Sequence, residues 1–186
     1  NNKTTAVKAI DKMGFLNDNY NSKLHYPVSA RAVLEEIISE TNLRIKPSLT
    51  ITNAPIILNK LEKVTYREVL GYLAQLNGAF VVFNNNGELE FRKLTRTEKR
   101  ISKSAYLLKG LEIDEVEYRI NGIIADLKDK AKTVLAVGSA LGTQIRLTNP
   151  YMTNPHLSSI FDEYKKLRFN PFSLNWRGDP FVEVGD

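Results

Sequence analysis

Two helix starts constrain the fold of this 186-residue chain more than any other feature of its sequence. The first begins at Ser29, whose hydroxyl can accept a free backbone N–H of the first helical turn. Apolar residues then recur at helical spacing, so we predict an amphipathic helix over residues 29–41. The second start pairs Thr65 with Glu68 in a capping box, where each side chain accepts the other's backbone N–H. Gly78 is predicted to end this second helix in a left-handed conformation.

The segments around these helices predict short strands. Residues 80–83 and 88–91 are apolar-rich runs joined by Asn86-Gly87, a pair that suits the positive φ angles of a tight hairpin turn. Residues 43–45 and 49–51 are two further candidate strands. Residues 29–34 and 65–70 have a capping residue, Arg, Val and Leu at the same relative positions. This similarity can arise by chance between two capped helices or through duplication. We predict a small α+β domain over residues 25–95.

The second half of the chain is richer in strand patterns. We predict strands over residues 113–118, 120–127, 133–137, 144–147, 173–176 and 181–184. Between them, a helix is predicted to start near Asn154-Pro155, because proline suits the first turn of a helix. Its apolar stripe comprises Leu157, Ile160, Phe161, Tyr164 and Leu167, and Asn170-Pro171 is predicted to stop it. Residues 105–186 therefore predict a β-rich domain with one inserted helix.

Composition excludes several kinds of chemistry. A hydrophobic content of 42% supports a core, and no run approaches the roughly 20 apolar residues of a membrane helix. The chain has no cysteine, which excludes disulfides, thiolate metal sites and a cysteine nucleophile. The first residues lack the apolar core of a signal peptide. We expect no signal peptide here, and an N-terminus trimmed from a longer protein.

The candidate catalytic residues form no recognisable constellation. His25 and His156 have no second ligand at metal-binding spacing. Glu35 and Glu36 point in different directions from one helix, and no acid–base pair involves the other acidic residues considered, Asp11, Asp114 and Glu115. We therefore expect no enzyme activity, and we predict no catalytic, cofactor-binding or metal-binding residue.

Three other motifs have structural explanations. Arg177-Gly178-Asp179 resembles a receptor-binding tripeptide, but strand patterns flank it and Pro180 follows, so we interpret it as a turn. The segment 138–143 lacks the lysine and the following helix of a phosphate loop. Residues 92–109 carry seven Lys or Arg against one Glu. We interpret this basic stretch as a connector, centred on residues 96–104, with a surface for protein or DNA as the alternative.

Four strings in order resemble segments of prophage tail proteins from Gram-positive bacteria, in the baseplate-hub or tail-tip family. Residues 26–37 (YPVSARAVLEEI) resemble one segment of this family. Residues 65–74 (TYREVLGYLA), with Asn77-Gly78 and residues 86–89 (NGEL), resemble the next. Residues 149–152 (NPYM) are similar to a third, and residues 176–180 (WRGDP) with 184–186 (VGD) to a fourth.

This resemblance implies a fold and a role. It implies an α+β protein in which residues 25–95 are an inserted domain like the N-terminal domain of secretins. Residues 1–24 would be the remnant of an earlier barrel domain, and residues 105–186 a β-barrel-type domain that continues beyond the chain. The implied function is structural: a homotrimeric hub in the virion tail, assembled in the host cytoplasm, whose ring continues the tail tube and contacts other tail proteins.

The resemblance implies no cofactor, no small-molecule substrate and no transferable site residue. Two other functions stay open at this point. One is a ring-forming or protein-binding module of a secretion-type machine. The other is a nucleic-acid-binding protein, which the net charge of +5 and the basic stretch favour and which salt-dependent DNA affinity would reveal.

Overall fold

The computed structural model describes residues 10–51, 57–95, 106–129 and 131–176. Within these ranges the chain forms three α-helices, a short 3-10 helix and small β-sheets, which confirms the predicted α+β class. Three predicted features lie outside the described residues: the Arg-Gly-Asp turn, the strand over residues 181–184 and the basic connector over residues 96–104.

The first half contains two helices and two antiparallel strand pairs. The elements are a 3-10 helix Lys12–Phe15, β1 Val28–Ser29, α1 Ala30–Thr41, β2 Ile57–Leu58, α2 Tyr66–Leu76, β3 Phe80–Phe83 and β4 Leu89–Arg92. Strand β1 pairs with β2, and β3 pairs with β4.

Both predicted helix starts are confirmed. The Ser29 Oγ accepts the Ala32 N–H at 3.2 Å. The Thr65 Oγ1 accepts the Glu68 N–H at 3.2 Å, and the Glu68 carboxylate accepts the Thr65 N–H at 2.9 Å, which completes the capping box. Gly78 follows α2 with a φ of +61°, as its predicted role at the helix end requires.

The predicted hairpin is confirmed, but its turn differs from the expected one. Only Gly87, at φ +69°, is left-handed, whereas Asn86 has a negative φ. The Gly87 N–H donates to the Asn84 carbonyl at 2.8 Å, and the Asn84 N–H to the Glu88 carbonyl at 3.0 Å. This is a three-residue loop with a glycine bulge, because Asn84 extends the ladder beyond β3 and moves the turn along the chain.

The strand predicted over residues 49–51 is wrong, because these residues form no strand pairing in the described part of the chain. Residues 43–45 contribute only one parallel bridge, between Ile45 and Leu89. The side chains of Leu43, Leu49 and Ile51 pack against the core instead. Apolar alternation here reflects burial against the core, with no ladder to a neighbouring strand among the residues that the structure describes.

The second half contains a four-stranded sheet and a two-stranded ribbon. The elements are β5 Tyr106–Ile113, β6 Tyr118–Asp126, β7 Val134–Gly138, β8 Thr143–Thr148, α3 Asn154–Tyr164, β9 Arg168–Phe169 and β10 Phe172–Trp176. The sheet has the order β7–β6–β8, and β9 pairs with the start of β6. Strands β6 and β8 are parallel, whereas β5 and β10 form the separate antiparallel ribbon. The expected barrel-type closure stays a prediction.

Two predicted boundaries in this half are wrong. Residues 113–118 do not form one strand, because the chain bends after Ile113, where the Asp114 Oδ1 accepts the Val116 N–H at 3.0 Å. Helix α3 ends at Tyr164, before the predicted stop at Asn170-Pro171. Pairing of Arg168 and Phe169 with β6 competes with helix extension and leaves Leu167 outside the helix.

A single hydrophobic cluster connects the two halves. Leu73 on α2, Ile123 on β6 and Leu157 on α3 are all fully buried in it. The chain before α1 joins the same packing, since the Arg67 N–H donates to the Leu16 carbonyl at 2.9 Å. The domain boundaries stay predictions.

Candidate interaction surfaces

The structure explains the candidate catalytic residues as parts of the fold. His25 is exposed, and the His156 Nδ1 lies 2.7 Å from the Thr153 Oγ1 at the start of α3. Glu35 pairs with Arg31 one helical turn earlier, at 2.9 Å. Asp11 accepts the Met13 N–H at 3.0 Å and so begins the 3-10 helix. Glu115 is exposed.

Glu36 anchors the segment before α1. Its carboxylate accepts hydrogen bonds from the Tyr20 hydroxyl, from the Ser22 hydroxyl at 2.6 Å and from the Lys23 N–H at 2.7 Å. Burial, and then the Glu36 hydrogen bond, raise the pKa of the Tyr20 hydroxyl well above its usual range. Tyr20 therefore stays neutral and donates, and the cluster fixes residues 20–23 to the helix.

A second polar group lies one turn further along α1. The Glu40 carboxylate accepts from the Lys23 ammonium at 2.7 Å and from the Tyr66 hydroxyl at 2.9 Å. These two hydrogen bonds, Lys23 first, lower the pKa of Glu40. The Tyr66 ring also contacts Tyr20 edge to face, with 5.4 Å between centroids. Glu40 and Tyr66 line a cleft of about 440 Å³ beside the exposed Phe15.

Asn149 joins the two halves of the chain. It is fully buried, and its Nδ2 donates to the Tyr72 carbonyl at 2.9 Å and to the Gln75 Oε1 at 3.1 Å. Its Oδ1 accepts the Tyr151 N–H at 2.9 Å. The Tyr151 ring packs edge to face on Tyr72, with 6.3 Å between centroids. The turn after β8 is thereby held against α2.

The ribbon of β5 and β10 carries an exposed apolar face. Residues directly opposite in an antiparallel pair share a face, so Ile113 lies beside Phe172 and Leu111 beside Leu174. Ile113 and Phe172 are each 61% exposed, and Leu111 is 45% exposed. The opposite face carries the polar pair Glu112 and Ser173. An isolated two-stranded ribbon is marginally stable, so this apolar face indicates a contact surface.

The four-stranded sheet also has one open face. Its inner face packs against the hydrophobic core through Leu135, Val137 and Ile145, among others, and strands β6 and β7 contact α3. On the outer face, Ile124 is flanked by Ala136 on β7 and Arg146 on β8, and Val134 is 56% exposed. Apolar side chains left exposed on the face of a sheet mark candidate contact surfaces, so this open face is the second one.

Residues 139–142 form the turn between β7 and β8, and a strand, not the helix of a phosphate loop, follows the segment 138–143. Gly138 and Gly142 both have φ of +86°. A Cβ atom at Gly138 would lie 2.8 Å from the Gly122 Cα on β6, so the backbone approaches β6 too closely for a side chain.

The part of the chain that the structure describes contains neither a metal-binding cluster nor a membrane-spanning helix. No three His, Asp or Glu side chains there are grouped to hold a metal ion. None of the helices in the described ranges has the length and apolar character needed to cross a membrane.

The sequence analysis did not predict the hydrogen bonds of Glu36 to residues 20–23 or those of Asn149 to α2. Glu36 lies on α1 beside the buried Val33 and Ile37, at the edge of the apolar stripe, so its partial burial could have been predicted from the helical spacing. Asn149 had no such signal, because its partners on α2 are more than 70 residues away.

Among known proteins, the chain shows a weak structural likeness to a solved structure. No protein-family profile and no curated protein matches the chain. Among solved structures, the chain is similar to the tail protein from Neisseria meningitidis MC58, with a TM-score of 0.44 and 11% sequence identity. The match covers 79% of this chain and 49% of that chain, so the chain spans about half of the protein that it matches.

Proposed function

We propose that this chain is a structural part of the baseplate hub or tail tip of a phage, or of a prophage-derived particle, from Gram-positive bacteria. In this proposal the full protein is a homotrimer that forms part of a ring continuing the tail tube. It contacts other tail proteins, belongs to the virion tail and has no catalytic role. The resemblance of four strings, in order along the chain, supports the choice of family.

The observation that carries a scaffold role is the pair of uncovered apolar faces. The ribbon exposes Ile113 and Phe172, and the sheet exposes Val134 beside the half-buried Ile124. Apolar faces of this kind mark surfaces that bind other proteins. Subunit interfaces depend on shape and symmetry, so this function requires no motif of catalytic side chains.

Immunogold labelling of tailed particles tests the proposal. Antibodies raised against residues 10–95 would be applied to particles released from the source strain after induction. We expect gold at the end of the tail remote from the capsid. Label confined to the cell envelope would favour the secretion-machine alternative, and particles without label would contradict a virion role. Antibodies against a major capsid protein provide the control for particle integrity.

Light scattering on the full-length protein tests the homotrimer separately. We expect a molar mass three times that of the subunit. A protein that stays monomeric at high concentration would contradict a self-assembling hub.

A further inference from the structure

We propose that the apolar face of the β5/β10 ribbon in one copy of this chain binds the open face of the four-stranded sheet in a second copy. The contact is head-to-tail, because two different surfaces meet. This inference rests on the proposed ring-forming function and assigns the surfaces that would build such a ring. Contacts between two different surfaces generate closed rings or open filaments, according to the rotation between subunits.

The two faces match in their apolar character. The ribbon offers Ile113, Phe172 and Leu111, whose exposed side chains lie on one side of the pair. The sheet offers Val134, Ala136 and Ile124 on its outer side, where Val134 is 56% exposed. Both patches expose apolar surface to water, and the proposed contact would bury that surface.

The charges around the two faces also match. Residues 112–117 at the end of the ribbon contain four carboxylates and no Lys or Arg. Glu117 pairs with Arg119, but Glu115 has no cationic partner in the described part of the chain. On the sheet, Arg146 lies in the same row as Ile124 and is exposed, with no carboxylate partner among the described residues.

Asp126 is the acidic group of the outer sheet face, in the row next to Arg146. Its Oδ1 accepts the Lys128 N–H at 2.8 Å. The proposed contact would bring the acidic end of the ribbon to Arg146, which has no carboxylate partner among the described residues. Opposite charges at the edge of an interface favour one register and one partner.

Cysteine trapping tests the pairing, because the chain has no cysteine of its own. The single variants Ile113→Cys and Ala136→Cys would be mixed in equal amounts and oxidised mildly, and the dimers separated by intact mass. A disulfide requires Cα atoms about 4.4–6.8 Å apart, so only a specific contact gives a high yield. We expect the mixed dimer to exceed both homodimers. Ser158→Cys on the exposed side of α3 replaces Ala136→Cys in the control mixture.

Two outcomes would overturn the proposal. Dominant Ile113→Cys homodimers would show a symmetric ribbon–ribbon contact instead. Yields equal to the Ser158→Cys control would show random collision. Tail-tip labelling does not depend on this contact, so labelled tails without the mixed dimer would reject the surface assignment and leave the proposed function standing.

Charge reversal gives an independent test. Glu115→Arg and Arg146→Glu are surface changes, and circular dichroism would verify that each variant folds. Each alone is expected to weaken self-association in a concentration series by roughly tenfold. In a mixture, a contact between unlike variants joins opposite charges in both orientations, so mixing the two variants is expected to restore association. Association that is unchanged in the single variants, or no association of the unmodified chain at any soluble concentration, contradicts the proposal.

Discussion

The side-chain nitrogen of Asn149 donates a hydrogen bond to the backbone carbonyl of Tyr72, 2.9 Å away, across the boundary between the two halves of the chain. Asn149 is fully buried, so water cannot replace this bond when the asparagine is lost. The same side chain also bonds Gln75 and the Tyr151 N–H. One residue thus satisfies polar groups on both sides of the joint.

Asn149→Ala is expected to lower the free energy of unfolding by about 2–4 kcal/mol, because it leaves buried polar groups unpaired and opens a small cavity. Urea unfolding followed by circular dichroism measures the loss. Asn21→Ala, at an exposed position, is the matched control and is expected to change stability by less than about 0.5 kcal/mol. Equal effects of the two substitutions would contradict the assigned role of Asn149.

The Tyr20–Glu36 hydrogen bond gives a second prediction. Tyr20→Phe removes the hydroxyl that donates to the Glu36 carboxylate and is expected to cost roughly 1.5–3 kcal/mol, the range for hydrogen bonds to charged groups. Combining it with Glu36→Gln in a double-mutant cycle isolates the pair, and the two effects should not add. Additive effects would show that the residues act independently. Tyr118→Phe controls for the loss of a tyrosine hydroxyl elsewhere.

Local signals in the sequence predicted the helices well. Ser29 and the Thr65–Glu68 box are contacts between residues three apart, so the chain segment alone determines them. Apolar spacing similarly predicted Leu157 and Ile160 as the buried stripe of α3. The hairpin followed from its turn residues, although the exact loop depended on how far the ladder extended past Phe83.

Long-range pairing limits what the sequence can predict. The strand pattern at 49–51 failed because these residues have no strand partner in the described part of the chain, and Leu49 and Ile51 pack against the core instead. The partners of Asn149 and the pairing of β5 with β10 connect segments far apart in the chain. Their proximity depends on the complete fold, and no local pattern encodes it.

Replacement of two glycines by alanine is expected to change the stability of the protein in opposite directions. Gly71 lies inside α2, and a Cβ atom there would have no neighbour within 4 Å. Gly71→Ala is expected to stabilise the protein by about 0.5–1 kcal/mol, because alanine loses less conformational entropy in a helix. Gly87 has a φ of +69°, so Gly87→Ala is expected to cost about 1 kcal/mol or more. Thermal unfolding measures both variants. A midpoint temperature that moves in the same direction in both would contradict the expectation for one of the two glycines.

Low pH is expected to remove the stabilising contribution of the Glu90 carboxylate. The Glu90 carboxylate lies 3.1 Å from Arg92 and 3.0 Å from Lys46, and its side chain is 13% exposed. Hydrogen bonds from Arg92 first, and then from Lys46, lower the pKa of Glu90. A carboxylate with a lowered folded-state pKa contributes stability above its unfolded pKa, about 4.3, and this contribution is lost as the pH falls through the folded value.

Glu90→Gln is therefore expected to cost about 1 kcal/mol at pH 7 and progressively less below about pH 4, as Glu90 in the unmodified chain becomes protonated. Urea unfolding at pH 7, 5, 4 and 3 measures the difference at each pH. Glu40 shares the lowered pKa, so the variant keeps part of the acid dependence. Glu62→Gln, at an exposed position, is the control, and its stability difference from the unmodified chain should not shrink as the pH falls. A stability difference that stays constant from pH 7 to pH 3 would show that the Glu90 charge does not stabilise the fold.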